Sequence, residues 1–217
     1  MIELRDISYR PGGDPVLGGL NLSVRRGQPL LLLGASGSGK TTLLHLMAGL
    51  LSPTGGEVRV DGELISAMPT DQRDRWRARH IGMVFQTLHL AGMLDVLGNL
   101  QLARYLAGLK ADDAHLMTLL ERVGLAHKAR ALPHTLSQGQ AQRVAIARAL
   151  ATGAPWLLAD EPTSALDDAS AASVMELLLA SAQDYQATLV IATHDRRLAG
   201  RLPRCAVLEN SHITEAA

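Results

Sequence analysis

The chain has 217 residues, a formal net charge of zero and 47% hydrophobic residues. This length and composition indicate a folded domain with a buried core and exclude a disordered protein. The neutral charge balance gives no sign of a nucleic-acid partner, which usually leaves a basic surface. The single cysteine, Cys205, excludes an internal disulfide and a zinc site built from thiolates.

Predicted strands open the chain and return towards its end. Apolar or alternating runs bounded by glycine and polar residues indicate strands at IELRDISY, LNLSVRRG, QPLLLLG, GGEVRVDGEL, HIGMVFQ, PWLLADE, ATLVIATHD and RCAVLEN. QPLLLLG is apolar throughout and ends at Gly34, which is typical of a parallel strand buried on both faces. GKTTLLHLMAGL then predicts a helix with Gly49 near its end.

The middle of the chain, from about residue 87 to residue 151, has a helical pattern instead. Helices are predicted at VLGNLQLARYLAG, DDAHLMTLLERVGL and GQAQRVAIARALA. In the second of these, Asp112 or Asp113 is expected to cap the start, and Gly124 to end the helix. The sequence therefore predicts one domain: an α/β core, residues 1–86 and 152–217, interrupted by a helical insert at residues 87–151.

No apolar run of the sequence is long enough to cross a bilayer. The longest runs, PLLLLGA and LLHLMAGLL, are too short, and the charged start MIELRDISYR does not fit a signal peptide. We therefore expect any role at a membrane to come through a partner. We also expect no further regulatory domain after the C-terminal LENSHITEAA.

The stretch GASGSGKTT, residues 34–42, has the spacing of a phosphate-binding loop. Its glycines let backbone N–H groups point at phosphate oxygens, Lys40 supplies a positive charge, and Thr41 offers a hydroxyl to Mg²⁺. A plain Gly/Ser turn is the alternative, but the position between a buried strand and a helix favours nucleotide binding. The candidate nucleotide-binding residues are Gly34, Ala35, Ser36, Gly37, Ser38, Gly39, Lys40, Thr41 and Thr42.

An acidic pair, Asp160 and Glu161, ends the apolar run WLLADE. A strand end beside a phosphate loop is where a Mg²⁺-holding carboxylate belongs. Asp160 is expected to act on Mg²⁺ through water, and Glu161 to polarise the attacking water as the general base. Two adjacent carboxylates could instead be a solvated loop or a helix cap, an alternative that the upstream phosphate loop disfavours.

A second polar loop, LSQGQ at residues 136–140, precedes the last predicted helix of the insert. With the phosphate loop and the acidic pair, LSQGQAQRVAIARAL resembles the ATP-binding subunit of ABC transporters, and the likeness runs almost from end to end. The resemblance implies a P-loop NTPase fold, with a RecA-like α/β core, a small antiparallel β subdomain and an inserted α-helical subdomain. LSQGQ resembles the signature loop of that family, which usually has glycine where this chain has Gln138.

The same resemblance implies that two cassettes pack head to tail, as a homodimer or as a paired cassette. Each signature loop would close over the ATP held by the phosphate loop of the other, so that a second helix N-terminus faces the γ-phosphate. The nucleotide-contacting residues of this loop would be Ser137, Gln138, Gly139 and Gln140. The local alternative is an ordinary capping box of Ser137 and Gln140, whose geometry is compatible with phosphate contact.

Four further positions are carried over by the resemblance. Tyr9 would stack on adenine, with a tyrosine packed in the core as the alternative. Gln86 would touch Mg²⁺ and the attacking water, unless it is only a polar residue at a strand end. His194 would reach the γ-phosphate and orient the water and Glu161, whereas a lone histidine is more often structural. Asp167, which ends SALD, would lie in the loop that links the two sites across the dimer.

Finer features point to one branch of the family. RDRWRARHIGMVFQTLHL and NLQLARYLAG resemble the lipoprotein-release, macrolide-export and cell-division branch, whose members work beside membrane permeases. The groove for a cytoplasmic helix of the permease is expected between core and insert, lined by Leu88, Leu90, Met93 and Leu94, which otherwise belong to the core of the insert. In the tail, Asn210-Ser211 stands where the family often has a tight glycine turn.

The sequence therefore predicts an ATPase that uses ATP and Mg²⁺ and drives an integral-membrane permease from the cytoplasmic face of the inner membrane. Its chemistry would be mostly positioning and electrostatics on a transferring phosphoryl group. One alternative is a soluble ABC ATPase without a permease, which the single phosphate loop and the lack of sustained heptads disfavour. Another is a dimerising scaffold that only binds ATP, which would not need both Glu161 and His194.

Overall fold

The computed structural model describes residues 1–13 and 15–216 of the chain. The strands are β1 (Ile2–Tyr9), β2 (Leu17–Val24), β3 (Leu30–Leu33), β4 (Gly55–Val60), β5 (Glu63–Leu64), β6 (Ile81–Val84), β7 (Trp156–Asp160), β8 (Thr188–Thr193), β9 (Arg204–Glu209) and β10 (His212–Ala216). The α-helices are α1 (Lys40–Met47), α2 (Thr70–His80), α3 (Val96–Leu106), α4 (Asp113–Arg122), α5 (Gln138–Leu150) and α6 (Asp168–Asp184).

The backbone forms two compact units, one of Met1–Arg77 with Thr188–Ala217 and one of Ala78–Ala187. The predicted boundaries of the helical insert, residues 87 and 151, remain a prediction. Both units mix strands with helices, as the α/β pattern of the sequence predicts.

The first unit contains a small antiparallel sheet with the strand order β2-β1-β4-β5. Ile2 lies opposite Val24 on one side and Val60 on the other, and all three side chains are fully buried. The predicted strand GGEVRVDGEL is in fact two strands, because Asp61 and Gly62 both adopt left-handed backbone angles and turn the chain between β4 and β5.

Parallel strands form the second sheet region of this unit, where β3 pairs with both β8 and β9. All four leucines of β3 are buried, which explains why this strand reads as a continuous apolar run. Strand β10 pairs with β9 in an antiparallel hairpin. Its two-residue turn is Asn210-Ser211, with φ angles of 49° and 64°, so these residues make the turn that glycine often makes in the resembling family.

The second unit is built on the parallel pair β6 and β7 and on four helices, α3 to α6. Asp112 rather than Asp113 caps α4, accepting a hydrogen bond from the backbone N–H of His115 at 3.1 Å. Gly124 follows that helix with a φ of 74°, as expected of a helix end. In residues 1–13 and 15–216, no helix has the length and apolar character that crossing a membrane requires.

Candidate functional site

The phosphate loop connects β3 to α1, and its backbone needs glycine at several positions. Gly37 and Gly39 have φ angles of 79° and 99°, in the left-handed region that other residues rarely adopt. A Cβ atom added at Gly34 would lie 2.5 Å from Ser38 Oγ and 2.7 Å from the carbonyl oxygen of Leu208. The loop is therefore wound so tightly that a side chain at Gly34 has no room.

Lys40, the first residue of α1, is drawn into this loop and is only 5% exposed. Its Nζ donates hydrogen bonds to the carbonyl oxygens of Gly34 and Ala35, both at 2.9 Å. The N-cap of α1 is Gly39, which has no side chain to cap the helix, so the first backbone N–H groups of α1 have no side-chain acceptor there. A tightly wound loop, a lysine and an uncapped helix N-terminus together make a site suited to a polyphosphate.

His194 lies at the same sheet edge as the phosphate loop. Leu33 of β3 is opposite Thr193 of the parallel strand β8, so Gly34 and His194 are each the next residue beyond that pair. His194 is exposed. Beside it, Asp195 accepts hydrogen bonds from the guanidinium of Arg197, which hold the pKa of the Asp195 carboxyl below its ordinary value.

Tyr9 ends β1 opposite Leu17, and its carbonyl accepts a hydrogen bond from the backbone N–H of Val16 at 2.9 Å. Val16 and Leu17 in turn lie against the phosphate loop, since a Cβ at Gly39 would be 2.9 Å from Leu17 Cδ2. The side chain of Tyr9 is half-buried. The structure therefore places Tyr9 beside the loop, and its stacking on adenine remains a prediction.

In the second unit, Gln86, Asp160 and Glu161 also share one sheet edge. Val84 of β6 lies opposite Ala159 of the parallel strand β7, so both chains leave the sheet at the same side. Asp160 is 2% exposed and Glu161 is 9% exposed, whereas Gln86 is exposed. This edge presents an amide and two carboxylates on adjacent strand ends.

The backbone at Glu161 is unusual, because its φ is 44° and it is not a glycine. This left-handed conformation is disfavoured for a residue with a Cβ, and such strain is often found at functional sites. Ser164 fixes the turn, since its backbone N–H and its hydroxyl both donate to the Glu161 carbonyl oxygen, at 3.2 and 3.1 Å. These two bonds hold the backbone of Glu161 in its turn at the end of β7.

The signature loop forms the N-terminus of α5, and the capping box that the sequence left as an alternative is present. The Gln140 backbone N–H donates to Ser137 Oγ at 3.3 Å, and the Ser137 N–H donates to Gln140 Oε1 at 3.0 Å. Gln138 is the first residue of the helix, is exposed, and is not among the residues with positive φ. The backbone conformation at this position therefore does not require glycine.

A cavity of about 310 Å³ adjoins the signature loop. It is lined by Gly124, Leu125, His127, Ser137, Gly139, Gln140, Arg143, Ser170 and Val174. Asp167 caps the neighbouring helix α6, accepting hydrogen bonds from the Ser170 hydroxyl at 2.6 Å and from its backbone N–H at 3.0 Å. These bonds lower the pKa of the Asp167 carboxyl, so the observed role of Asp167 is a helix cap. Its predicted link between two sites remains a prediction.

Two residues to which the sequence assigns no role in the site shape the chain after Gln86; of these, the sequence predicts Arg148 only to be a surface or core pairing residue. Arg148 of α5 donates to the carbonyl oxygens of Leu88 and His89, and Asn99 of α3 bonds the backbone of Ala91. Asn99 is 1% exposed, among the apolar residues of its helix. A polar residue on an apolar helix face was a usable signal for Asn99. Arg148 carried no such signal, because arginine is common on exposed helix faces.

The predicted metal ligands suit Mg²⁺ by their chemistry. A threonine hydroxyl, an amide oxygen and a buried carboxylate, from Thr41, Gln86 and Asp160, are oxygen donors, and Mg²⁺ commonly pairs one or two such groups with phosphate oxygens. Thr41 is exposed in the first turn of α1, directly after the phosphate loop.

Comparison with known proteins decides the family. The profile of the family described as ABC transporter matches residues 17–164. The chain belongs to the ABC transporter family. It is 43% identical over 205 residues to the lipoprotein-releasing system ATP-binding protein LolD of Xanthomonas axonopodis pv. citri, covering 94% of this chain and 84% of that protein. It is also 43% identical to the pyoverdine export ATP-binding/permease protein PvdT of Pseudomonas fluorescens, covering 98% of this chain and 33% of that protein.

A solved structure agrees along the whole cassette. The dimeric, post-hydrolysis state of the ATP-binding cassette MJ0796, bound to ADP and Pi, matches with a TM-score of 0.90 and 33% identity over 100% of this chain and 98% of that chain. The predicted P-loop NTPase fold is therefore confirmed. The chain is an ABC cassette that binds and hydrolyses ATP, as the sequence predicts.

Proposed function

We propose that two copies of this cassette close around two ATP molecules and, by hydrolysing them, drive a membrane permease that releases lipoproteins. Each ATP would lie between residues 34–42 of one copy and residues 136–140 of the other. The observation that supports the shared site is the exposed N-terminus of α5. Its capping box uses the N–H groups of Ser137 and Gln140, which leaves those of Gln138 and Gly139 outside the intrahelical ladder and directed away from the helix.

The chain would bind the triphosphate mainly through the phosphate loop. The N–H groups of residues 36–42 and the Lys40 ammonium neutralise phosphate charge, and the ring of Tyr9 covers the adenine. When bound, Mg²⁺ neutralises charge on the β- and γ-phosphates. Thr41, Asp160 and Gln86 are the residues proposed to hold it. Ala35 completes the loop through its carbonyl, which accepts from Lys40.

Hydrolysis would depend on Glu161 acting as the general base towards a water molecule. The left-handed backbone at Glu161 and the near-complete burial of this residue support the assignment, because both would restrict the positions open to its carboxylate. His194, exposed at the edge beside the phosphate loop, would orient the water and contact the γ-phosphate. Ser137 and the N–H of Gly139 from the other copy would stabilise charge on the same phosphate.

The permease half of the proposal rests on the similarity to LolD, which extends over 94% of this chain. Such a cassette would lie peripherally on the cytoplasmic face of the inner membrane. The side chain of Met93 is 97% exposed, and Leu88, Leu90 and Leu94 in the same segment are half-buried. These side chains would receive a cytoplasmic segment of the permease. The similarity to PvdT favours an export system as the second candidate.

The shared site is tested with the purified cassette. We expect the specific ATPase activity to rise steeply with protein concentration in dilute solution, because a monomer has only half of each site. We also expect Glu161→Gln to bind ATP, to lose about a hundredfold or more in turnover, and to accumulate as an ATP-bound dimer. Sedimentation and steady-state turnover measure both, and Glu176→Gln, an exposed glutamate of α6, serves as the control. A flat specific activity together with a monomeric Glu161→Gln variant would contradict the proposal.

The permease is tested by purifying the cassette with its bound membrane proteins. Reconstituted with them in vesicles, it should release lipoprotein on adding ATP. The Glu161→Gln cassette in the same vesicles should not. Transport of a small molecule without lipoprotein release would favour the export candidate. Recovery of a fully active cassette with no membrane protein at all would instead favour the soluble alternative.

A further inference from the structure

The segment that follows Gln86, residues 87–94, has little regular structure but is held from two sides. We call it the post-Gln86 loop. Asn99 of α3 pairs with the backbone of Ala91, accepting from its N–H at 2.7 Å and donating to its carbonyl oxygen at 3.2 Å, and also donates to the Leu94 carbonyl at 3.1 Å. These bonds fix the second half of the loop against α3.

The first half of the loop is held by Arg148 of α5. Arg148 Nη1 donates to the His89 carbonyl oxygen at 2.6 Å, and Nη2 donates to the Leu88 carbonyl oxygen at 2.7 Å. His89 has a left-handed backbone, with a φ of 48°, and its ring meets Phe85 edge-on at 5.4 Å. Two hydrogen bonds from one planar cation to consecutive carbonyls are strong and directional.

Burial makes this contact more specific. Desolvation lowers the pKa of the Arg148 guanidinium below its ordinary value. Losing either carbonyl partner would leave a partly buried charge poorly compensated, which is costly. The loop is therefore tied to Arg148 in one conformation.

Helix α5 carries both the signature loop and Arg148. It has 13 residues and is about 20 Å long, with Ser137 capping its first turn and Arg148 in its last. Its last turn is seated on β6, because Gly82 lacks a side chain: a Cβ there would lie 2.2 Å from the Ala149 carbonyl oxygen. The post-Gln86 loop is therefore bonded to one end of the helix whose other end carries the signature loop.

We propose that Arg148 is a positioning residue that locks the post-Gln86 loop to α5, so that a permease segment seated on this loop controls where the signature loop points. That a permease segment binds this loop rests on the proposed function. The chemistry of the seated segment is apolar, matching Met93 and the leucines of the loop. Arg148 would act through the backbone of residues 88 and 89, to which its guanidinium donates.

The test compares three variants of the full chain. Arg148→Met keeps the length and the apolar stem of the side chain but removes both donors, and Arg148→Lys retains a charge that reaches one carbonyl rather than two. Arg104→Met is the matched control. Arg104 is another mostly buried arginine that donates to backbone carbonyls, including that of Ala151 just after α5, but in the described part of the chain it makes no hydrogen bond or ion pair with residues 87–94.

The first readout is amide hydrogen exchange of residues 87–94 in the isolated cassette. We expect Arg148→Met to speed exchange there about tenfold or more. The Leu88 and His89 carbonyls lose their donor, so the loop should open more often and expose the bonded amides of Ala91 and Leu94. Arg148→Lys should give an intermediate value, and Arg104→Met no change in this segment. Unchanged exchange in Arg148→Met, or equal acceleration in Arg104→Met, would overturn the proposal.

The second readout is the ratio of ATPase turnover with the permease to turnover without it. We expect Arg148→Met to lower this ratio about fivefold or more, with partial recovery in Arg148→Lys and a normal ratio in Arg104→Met. Faster exchange with an unchanged ratio would refute the coupling. If the wild-type cassette shows no stimulation by a co-purified permease, the proposed function fails, and the exchange measurement still decides whether Arg148 holds the loop. Should Arg148→Met not fold, Arg148→Lys carries both readouts.

Discussion

The phosphate loop and the signature loop both lie at a helix N-terminus, yet they are built in opposite ways. The phosphate loop leaves its helix uncapped, has left-handed glycines and folds its lysine inward. The signature loop is closed by a serine–glutamine capping box and presents exposed side chains. The first loop has no side-chain cap at its helix N-terminus, whereas the second is closed by hydrogen bonds within its own residues.

If the proposed function is correct, this difference explains why the phosphate loop would bind a nucleotide within one copy, whereas the signature loop would contact the nucleotide held by the other copy. An uncapped helix N-terminus attracts an anion strongly, because its N–H groups have no other partner. A capped N-terminus keeps its conformation without a ligand, so it is preorganised for binding. Substitutions in the phosphate loop should therefore lower ATP affinity, whereas substitutions in the signature loop should lower ATPase turnover.

The largest effect is expected from Lys40→Ala in the phosphate loop. The substitution removes the only buried cation of the loop and its bonds to Gly34 and Ala35, so ATP affinity should fall by about a hundredfold or more. Binding of a fluorescent ATP analogue to the isolated cassette measures this. The other two lysines of the chain, Lys110 and Lys128, provide alanine controls that should bind normally. Normal binding of the ATP analogue by Lys40→Ala would show that Lys40 of the phosphate loop does not contribute to the ATP site.

A smaller and different effect is expected from Ser137→Ala in the signature loop. ATP binding to the dilute monomer should be unchanged, while ATPase turnover at high protein concentration should fall about tenfold to a hundredfold. The lost cap should also cost about 1 kcal/mol of stability. Asp112→Ala is the matched control, because it removes the cap of α4 at similar cost and should leave turnover intact. Equal turnover in Ser137→Ala and Asp112→Ala would reduce the role of Ser137 to capping.

The smallest effect is expected from Gln138→Gly, which restores the residue usual in the resembling family. Because Gln138 already has a helical backbone and an exposed side chain, glycine relieves no strain and adds about 1 kcal/mol or less of helix destabilisation. Turnover and the ATP concentration for half-maximal rate should both stay within about threefold of wild type. A rise of an order of magnitude would show that the glutamine obstructs the shared site.

Much of the fold was predictable because its core strands are short apolar runs that end in glycine or a charged residue. The sequence does not predict α2 and α6, because apolar and polar residues do not alternate clearly along them with the period of a helix. In α2 only Arg73 and Trp76 are buried. The buried face of α6 has only three large apolar side chains, Val174, Met175 and Leu178, and is completed by Ser181 and Ala182, so its apolar stripe is weak in the sequence. The break between β4 and β5 was missed because Asp61 and Gly62 were read as part of one strand.

The candidate site was predictable where local sequence determines local shape. The phosphate loop, the acidic strand end and the capping box each need only a few adjacent residues. The hydrogen bonds from Arg148 to the carbonyls of Leu88 and His89 join residues about 60 positions apart, and no local sequence pattern predicts them. Such contacts depend on how α5 packs on β6, which is a property of the folded chain.

The left-handed backbone at Glu161 has a practical meaning for anyone engineering this cassette. Glycine and asparagine adopt that conformation more readily than glutamate, so a library selected only for heat resistance would drift towards them at this position. If Glu161 is the general base, as proposed, the most thermostable variants from such a screen would have lost ATPase activity. Selection of this cassette for thermal stability therefore needs a measurement of ATPase turnover in every round.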